Sequence, residues 1–331
     1  MKYIDLHADT ILPILQQGKH SSLYENDQTH IDIKRLQAGH ALAQCFAVWL
    51  PDEDFDIIDV GSSFISTNQE EDLEYIDLAV NRLNKEIEQH SDVIAWAKNT
   101  TEIRQNDQEG KISAILTLED ARAVNNSLEN IDRFYKQGFQ MIGILWNQEN
   151  CFGFPNSANP KINQKGLKPF GIEAIQYMDE LGIFVDVSHL NDGGITDVLK
   201  YSKKPVLATH SNARSIANHP RNLVDEHIEG IANSGGVVGL CISPRFLRGE
   251  GNDSTIDDMI RHLDYILDIG GEDVLAIGTD FDGTTGNFEI GSPKEMPKLF
   301  ERLEQQNWPQ ERIEKLASKN ALRVFEHREN D

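Results

Sequence analysis

The chain has 331 residues, with 31 Lys and Arg against 54 Asp and Glu, for a formal net charge of −23. With 39% apolar and 26% charged residues, the composition is that of a folded globular protein. An acidic balance of this size speaks against nucleic acid and anionic membrane surfaces as partners, since both select clustered Lys and Arg. No apolar run approaches the ~20 residues of a membrane span. Met1-Lys2 leads directly into Tyr3-Ile4-Asp5-Leu6, without the apolar core of a signal peptide. Cys45, Cys151 and Cys241 are an odd set without zinc-finger spacing, as expected of reduced thiols in a cytoplasmic protein.

Short runs rich in Val, Ile and Leu recur at strand length along the chain. The first is Lys2–Asp9, followed by Ala41–Leu50, Ser113–Asp120 and Phe139–Asn147. The second half adds Ile183–His189, Pro205–Asn212, Val237–Ser243 and Val274–Asp282. Between them lie segments of helical period, among them Glu71–His90, Gly166–Gly182 and Ile256–Ile269. Glycines stand before several strands, at Gly138, Gly182, Gly235-Gly236 and Gly270-Gly271, where a left-handed cap turns a helix back into the sheet. Eight alternating units predict a (β/α)8 TIM-type barrel. A doubly wound open sheet is the alternative that alternation alone leaves open.

Length alone would allow two domains. No repeat, low-complexity tract or linker divides the chain, so 1–331 reads as a single barrel domain with long loops after strands two and four. The first of these connections, Asp52–Asn99, is acidic and is expected to hold extra helix. The second, Asn147–Gln164, is rich in Asn, Pro and Gly and is a candidate lid.

The functional signal is the placement of His, Asp and Glu. His7 and Asp9 end the first run, Glu119 the third, His189 the fifth, His210 the sixth, and Asp280 with Asp282 the eighth. In a (β/α)8 barrel every C-terminal strand end opens on one face, so residues far apart in sequence converge. Side chains two apart on a strand point the same way, which pairs His7 with Asp9. Three imidazoles and two or three carboxylates suit Zn2+, with Mn2+ or Co2+ as substitutes. Glu119 is the natural bridge between two cations, because its two oxygens can each take one. The other eight histidines, among them His30, His219 and His262, fall mostly in loops or helices and receive no role.

The segment Ile4-Asp5-Leu6-His7-Ala8-Asp9-Thr10 resembles the opening of the membrane (renal) dipeptidase family of binuclear zinc peptidases, a branch of the amidohydrolase-like barrels. Leu118-Glu119-Asp120, Asp186-Val187-Ser188-His189 and Ala208-Thr209-His210-Ser211-Asn212 also fit, as do Pro220-Arg221-Asn222-Leu223, Gly278-Thr279-Asp280-Phe281-Asp282-Gly283 and Asn320-Ala321-Leu322-Arg323-Val324-Phe325. The matches run in order over nearly the whole chain. The resemblance implies two Zn2+ per chain, one on His7 and Asp9, the other on His189 and His210, with Glu119 between them. It further implies Asp280 as the acid/base carboxylate, Arg221 on the C-terminal carboxylate of a dipeptide, and a metal-bridging hydroxide attacking the peptide carbonyl. A homodimer is compatible with it.

Two positions depart from renal-type members. Trp146 stands where they carry a histidine near the end of strand four, and Cys241-Ile242-Ser243 where they carry a tyrosine late in strand seven. An indole N–H donates a hydrogen bond but never becomes cationic. The first alternative function is another amidohydrolase-type enzyme acting on a cyclic amide, ester or phosphoester. Many of those use His-x-His on strand one and a carboxylated lysine on strand four, whereas this chain has His7-x-Asp9 and no lysine in strand four. The second is a non-catalytic metal-binding scaffold.

Overall fold

The structure is a computed structural model. It describes residues 1–51 and 69–327, together with the backbone of two short paired strands, Phe55–Ile57 and Ser62–Phe64. Most of the acidic stretch at 52–68 thus lies outside the described residues.

Eight parallel strands form the barrel: β1 Tyr3–Asp5, β2 Ala41–Trp49, β3 Ile112–Glu119, β4 Met141–Gly143, β5 Phe184–Asp186, β6 Leu207–Ala208, β7 Val237–Leu240 and β8 Leu275–Ile277. Each pairs with the next, and β8 returns to β1 through Asp5 opposite Ile277, which closes the ring. The closed form therefore prevails over the open doubly wound sheet. The long register between β2 and β3 runs from Ala43 opposite Ser113 to Trp49 opposite Glu119. An additional short strand, Ile94–Trp96, pairs with Ile112–Ala114 on the edge of β3 whose upper half pairs with β4.

Two apolar layers follow from the strand period of two. On β3, Ile112, Ala114, Leu116 and Leu118 face the large outer core between sheet and helices. The alternate residue Ile115 joins Ile4, Met141, Phe184 and Leu207 in the smaller core inside the barrel. The same parity carries Glu119 inward at the top of β3. Gly278 lies where strands approach closely: a Cβ there would fall 1.6 Å from the Thr209 carbonyl oxygen.

The helices sit where periodicity places them, at Gln69–Gln89, Pro169–Leu181 and Ile256–Gly270. Gly138 and Gly182 end their helices with φ of 99° and 72°, the left-handed turn that costs a glycine little. The helix Ile256–Gly270 starts at Thr255, whose hydroxyl accepts the Asp258 N–H at 3.2 Å. Among the described residues no helix is long and apolar enough to cross a membrane.

His262 on that helix is fully buried and locked as a neutral ring. Its Nδ1 accepts the Ala213 N–H at 3.2 Å, so Nε2 carries the proton and donates to the Leu247 carbonyl at 2.9 Å. Burial pulls its pKa down to about 4. The unfolded chain takes up that proton below ~6.5 and the folded chain does not, so this residue lowers stability as pH falls from ~6.5 toward 4. From pH 7 to pH 5 the loss from this one ring is expected to be about 2 kcal/mol. Urea midpoints of wild type and His262→Gln at both pH values check it. An equal acid loss in the two proteins contradicts it.

Candidate metal centre and active site

The strands end early and the site begins in the turns just beyond them. β1 stops at Asp5, but the chain stays against the last barrel strand through Leu6 N–H to Ile277 O at 2.9 Å and Asp9 N–H to Phe281 O at 3.0 Å. His7 and Asp9 are thereby held side by side, as their spacing predicts. Beyond β5 and β8 the alternation breaks: His189, Asp280 and Asp282 have φ of 69°, 65° and 67°. Left-handed non-glycine residues are uncommon and gather at functional sites. Here they separate Asp280 from Asp282, which strand parity would aim alike.

His7, Asp9, Glu119, His210 and Asp280 are all buried, and His189 is nearly so, with its side chain 12% exposed. The two oxygens of Glu119 face opposite ways. Oε1 lies 3.0 Å from His189 Nε2 and 3.5 Å from His210 Nε2, and these two nitrogens are 3.2 Å apart. Oε2 lies 3.4 Å from His7 Nε2, which is 3.5 Å from Asp9 Oδ2. Ligands at ~2.0–2.1 Å around a tetrahedral zinc stand about 3.3–3.4 Å from one another. The spacings on both sides of Glu119 match the edges of such a tetrahedron. Among the described residues, His7 Nε2, Asp9 Oδ1 and His189 Nδ1 are buried without a hydrogen-bond partner, which buried polar atoms rarely tolerate.

The electrostatics agree with a cation site. Burial, reinforced by Asp9, pushes Glu119 up to about 8 against the pull of His7. Burial and Asp9 also push Asp280 up to about 7, while His7 and Arg221 pull the other way. Burial holds His189 and His210 well below the usual imidazole range, aided by Arg221 and His7, so both offer lone pairs. For His7 burial acts downward too, but Asp9 and Glu119 outweigh it. Crowded carboxylates and neutral imidazoles are the donor set that divalent cations satisfy. Two triads, Glu119–His189–His210 and His7–Asp9–Asp280, each bring their ligand atoms within 4.8 Å. Asp186 joins His7 and His210 in a third.

Asp9, Glu119, His189 and Asp280 line a cavity of about 740 Å³, ample for a small molecule. Arg221 lines it, yet the residue is only 4% exposed. Its Nη1 donates to Ser211 Oγ at 2.8 Å and its Nη2 to the His210 carbonyl at 3.0 Å. Among the described residues its Nε has no partner and no carboxylate comes within ion-pair distance. A buried guanidinium without an anion is costly, so an anionic ligand group is its natural complement. Trp146 and Ser243 both line the cavity; Trp146 packs edge-on against Trp49 at 4.9 Å. Cys241 lies below, with its thiol 3.6 Å from Asp280 Oδ2.

The structure brings further residues to the site. His219, assigned nothing from sequence, lines the cavity and accepts the Arg221 N–H through Nδ1 at 3.1 Å. Asp282 is tied to structure: it accepts from Thr10 Oγ1 at 2.6 Å and from the His30 N–H, and its own N–H donates to His30 Nδ1 at 3.0 Å. Asp5 and Asp186 bind the threonines before Asp280 and His210, at 2.6 Å each. The signal available was a short echo, Asp5-x-His7 with Thr279-Asp280, and Asp186-x-x-His189 with Thr209-His210.

The family profile described as Membrane dipeptidase (Peptidase family M19) matches residues 1–331. The chain is 30% identical over 317 residues to an uncharacterized dipeptidase of Schizosaccharomyces pombe, spanning 92% of this chain and 74% of that one. Among solved structures it is similar to dipeptidase AC, a metallopeptidase of family M19, with a TM-score of 0.87 and 25% identity over 98% of both chains. A metallopeptidase from Rhodobacter sphaeroides, liganded with a phosphinate mimic of the dipeptide L-Ala-D-Ala, gives the same TM-score and identity over 98% of this chain and 99% of that one. With a match from the first residue to the last, and a barrel shared with solved members, this chain belongs to the membrane dipeptidase family, peptidase family M19.

Proposed function

We propose that the site hydrolyses dipeptides with two divalent cations, zinc first among them, with His7 and Asp9 on one, His189 and His210 on the other, and Glu119 shared. Dipeptidase activity and dependence on metal come with the family. The observation that carries the two-cation reading is the pair of Glu119 oxygens, each facing its own set of donors. When bound, cations at such a centre polarise the scissile carbonyl and make water acidic enough to ionise near neutrality.

The chain's own residues do the rest. Arg221 grips the C-terminal carboxylate of the substrate, a charge-assisted pairing that a guanidinium can make bidentate. It thereby selects peptides that end just beyond the scissile bond. Asp280, buried beside His7 and Asp9, takes a proton from the attacking water and delivers it to the leaving amine. Trp146 and Trp49 wall the cavity and keep water from its flank, and the indole of Trp146 offers a neutral donor where renal-type members offer a histidine. The phosphinate dipeptide mimic bound by the Rhodobacter relative supports a dipeptide in this cavity. Homology over 1–331 supports one barrel domain, and the net charge of −23 supports an enzyme acting on free dipeptides without nucleic-acid or membrane partners.

Arg221→Met tests the substrate assignment. Losing one partner of a buried charge pair costs ~2–5 kcal/mol, so KM for a dipeptide is expected to rise by about 10²-fold or more. KM for the matching dipeptide amide, which has no carboxylate to lose, is expected to stay nearly constant. Steady-state kinetics on acid and amide decide the matter, and equal effects on both remove the clamp.

A further inference from the structure

His210 is held from behind by two residues that have no place in the mechanism above. The Thr209 hydroxyl lies 2.6 Å from Asp186 Oδ2 and 2.9 Å from His210 Nδ1. A hydroxyl has one proton to donate. The carboxylate of Asp186 takes it, because that carboxylate is an acceptor only, and it also accepts the N–H groups of Ser188 at 2.9 Å and Thr209 at 3.0 Å. The Thr209 oxygen must then accept from His210, which places the imidazole proton on Nδ1 and the lone pair on Nε2. That Nε2 is the atom facing His189 and Glu119. With three donors on its two oxygens, Asp186 is poorly placed to serve as a ligand itself, although its carboxylate lies within 4.8 Å of ligand atoms on His7 and His210.

We propose that Asp186 and Thr209 are positioning residues, a carboxylate–hydroxyl relay that fixes His210 in its Nδ1–H tautomer and so sets the affinity of one of the two cations. The proposal rests on the two-cation reading only for that affinity, since the tautomer itself requires no metal. Among the described residues His189 has no such support, as its buried Nδ1 is without a partner there. The two imidazoles that share Glu119 Oε1 are therefore unequal.

The test compares the full chain as wild type, Thr209→Val, Thr209→Ser and Asp186→Asn. Zinc affinities are read by competition with a chromogenic chelator, and His210 by 15N–1H correlation of imidazole nitrogens in chelator-treated protein. Thr209→Val is expected to weaken one zinc by ~10–100-fold and spare the other, and Thr209→Ser to recover to within about threefold of wild type. Asp186→Asn reverses the relay: its amide donates to Thr209, whose hydroxyl turns to His210 and favours the Nε2–H form. It is expected to lose the same zinc and to show the changed tautomer, which keeps the test sharp if the valine variant folds poorly. Unchanged affinities with an unchanged Nδ1–H signal in Asp186→Asn overturn the relay, as does a serine variant as weak as valine. A chain that binds no second zinc, yet whose His210 tautomer follows these variants, refutes the two-cation reading and upholds the relay.

Discussion

Asp280→Asn is expected to fold, to keep both cations and to bind dipeptide, yet to lose turnover by ~10²–10⁴-fold, the usual cost of removing a positioned acid/base. The amide keeps the shape and an oxygen for the pocket but cannot carry the proton from water to amine. Asp280 lines the cavity, its carboxylate within 4.8 Å of ligand atoms on His7 and Asp9, and in the cation-free chain burial and Asp9 push that carboxyl up to about 7. Asp282 serves as the control two residues on. Its carboxylate ties Thr10 and the backbone at His30 to the end of β8. Asp282→Asn is expected to keep most of kcat and to lose stability of about 1–3 kcal/mol through unsatisfied buried groups. Measuring kcat, metal content and melting for both variants separates the roles. A metal-replete Asp280→Asn enzyme turning over near the wild-type rate removes Asp280 from the mechanism, and a well-folded but inactive Asp282→Asn transfers the role.

Glu119→Gln is the second large effect. A carboxylate presents an acceptor to each cation, whereas an amide presents one oxygen and one NH2 group. In either amide orientation the NH2 meets His7 Nε2 or the His189–His210 pair, where the proposed centre would hold a cation. Both sides are therefore expected to suffer, with one cation lost outright, the other weakened by at least ~10-fold and activity abolished. His7→Ala should mainly weaken one side. Chelator competition on the two variants gives the contrast, and a Glu119→Gln chain that fills both sides as tightly as wild type excludes the bridge.

The barrel was legible because each strand is a dense apolar run closed by polar residues, and because glycines such as Gly138 and Gly182 mark the helix ends. Ile94–Trp96 was not, since three residues on the lower edge of β3 give periodicity nothing to act on. The gathering of His7, Asp9, Glu119, His189, His210 and Asp280 in one cluster followed from parallel strands sharing one open end, whereas Arg221 was legible only through the family resemblance. The division of labour between Asp280 and Asp282 depends on left-handed backbone at both, which strand alternation does not anticipate. The burial of Arg221 depends on a loop folding back over β6, and the holders Asp186 and Thr209 act through hydrogen bonds that reveal themselves only once strands β5 and β6 are side by side. Trp146 was recognisable as a departure, but its contact with Trp49 joins the ends of two strands distant in sequence.

The count of metal ions bears most directly on a centre shared through Glu119. Titrating metal-stripped protein with Zn2+, with elemental analysis and dipeptide turnover on the same samples, is expected to show close to two ions per chain, full activity only after the second, and loss of both on chelation. A chain that reaches full activity with a single tightly bound ion would contradict it.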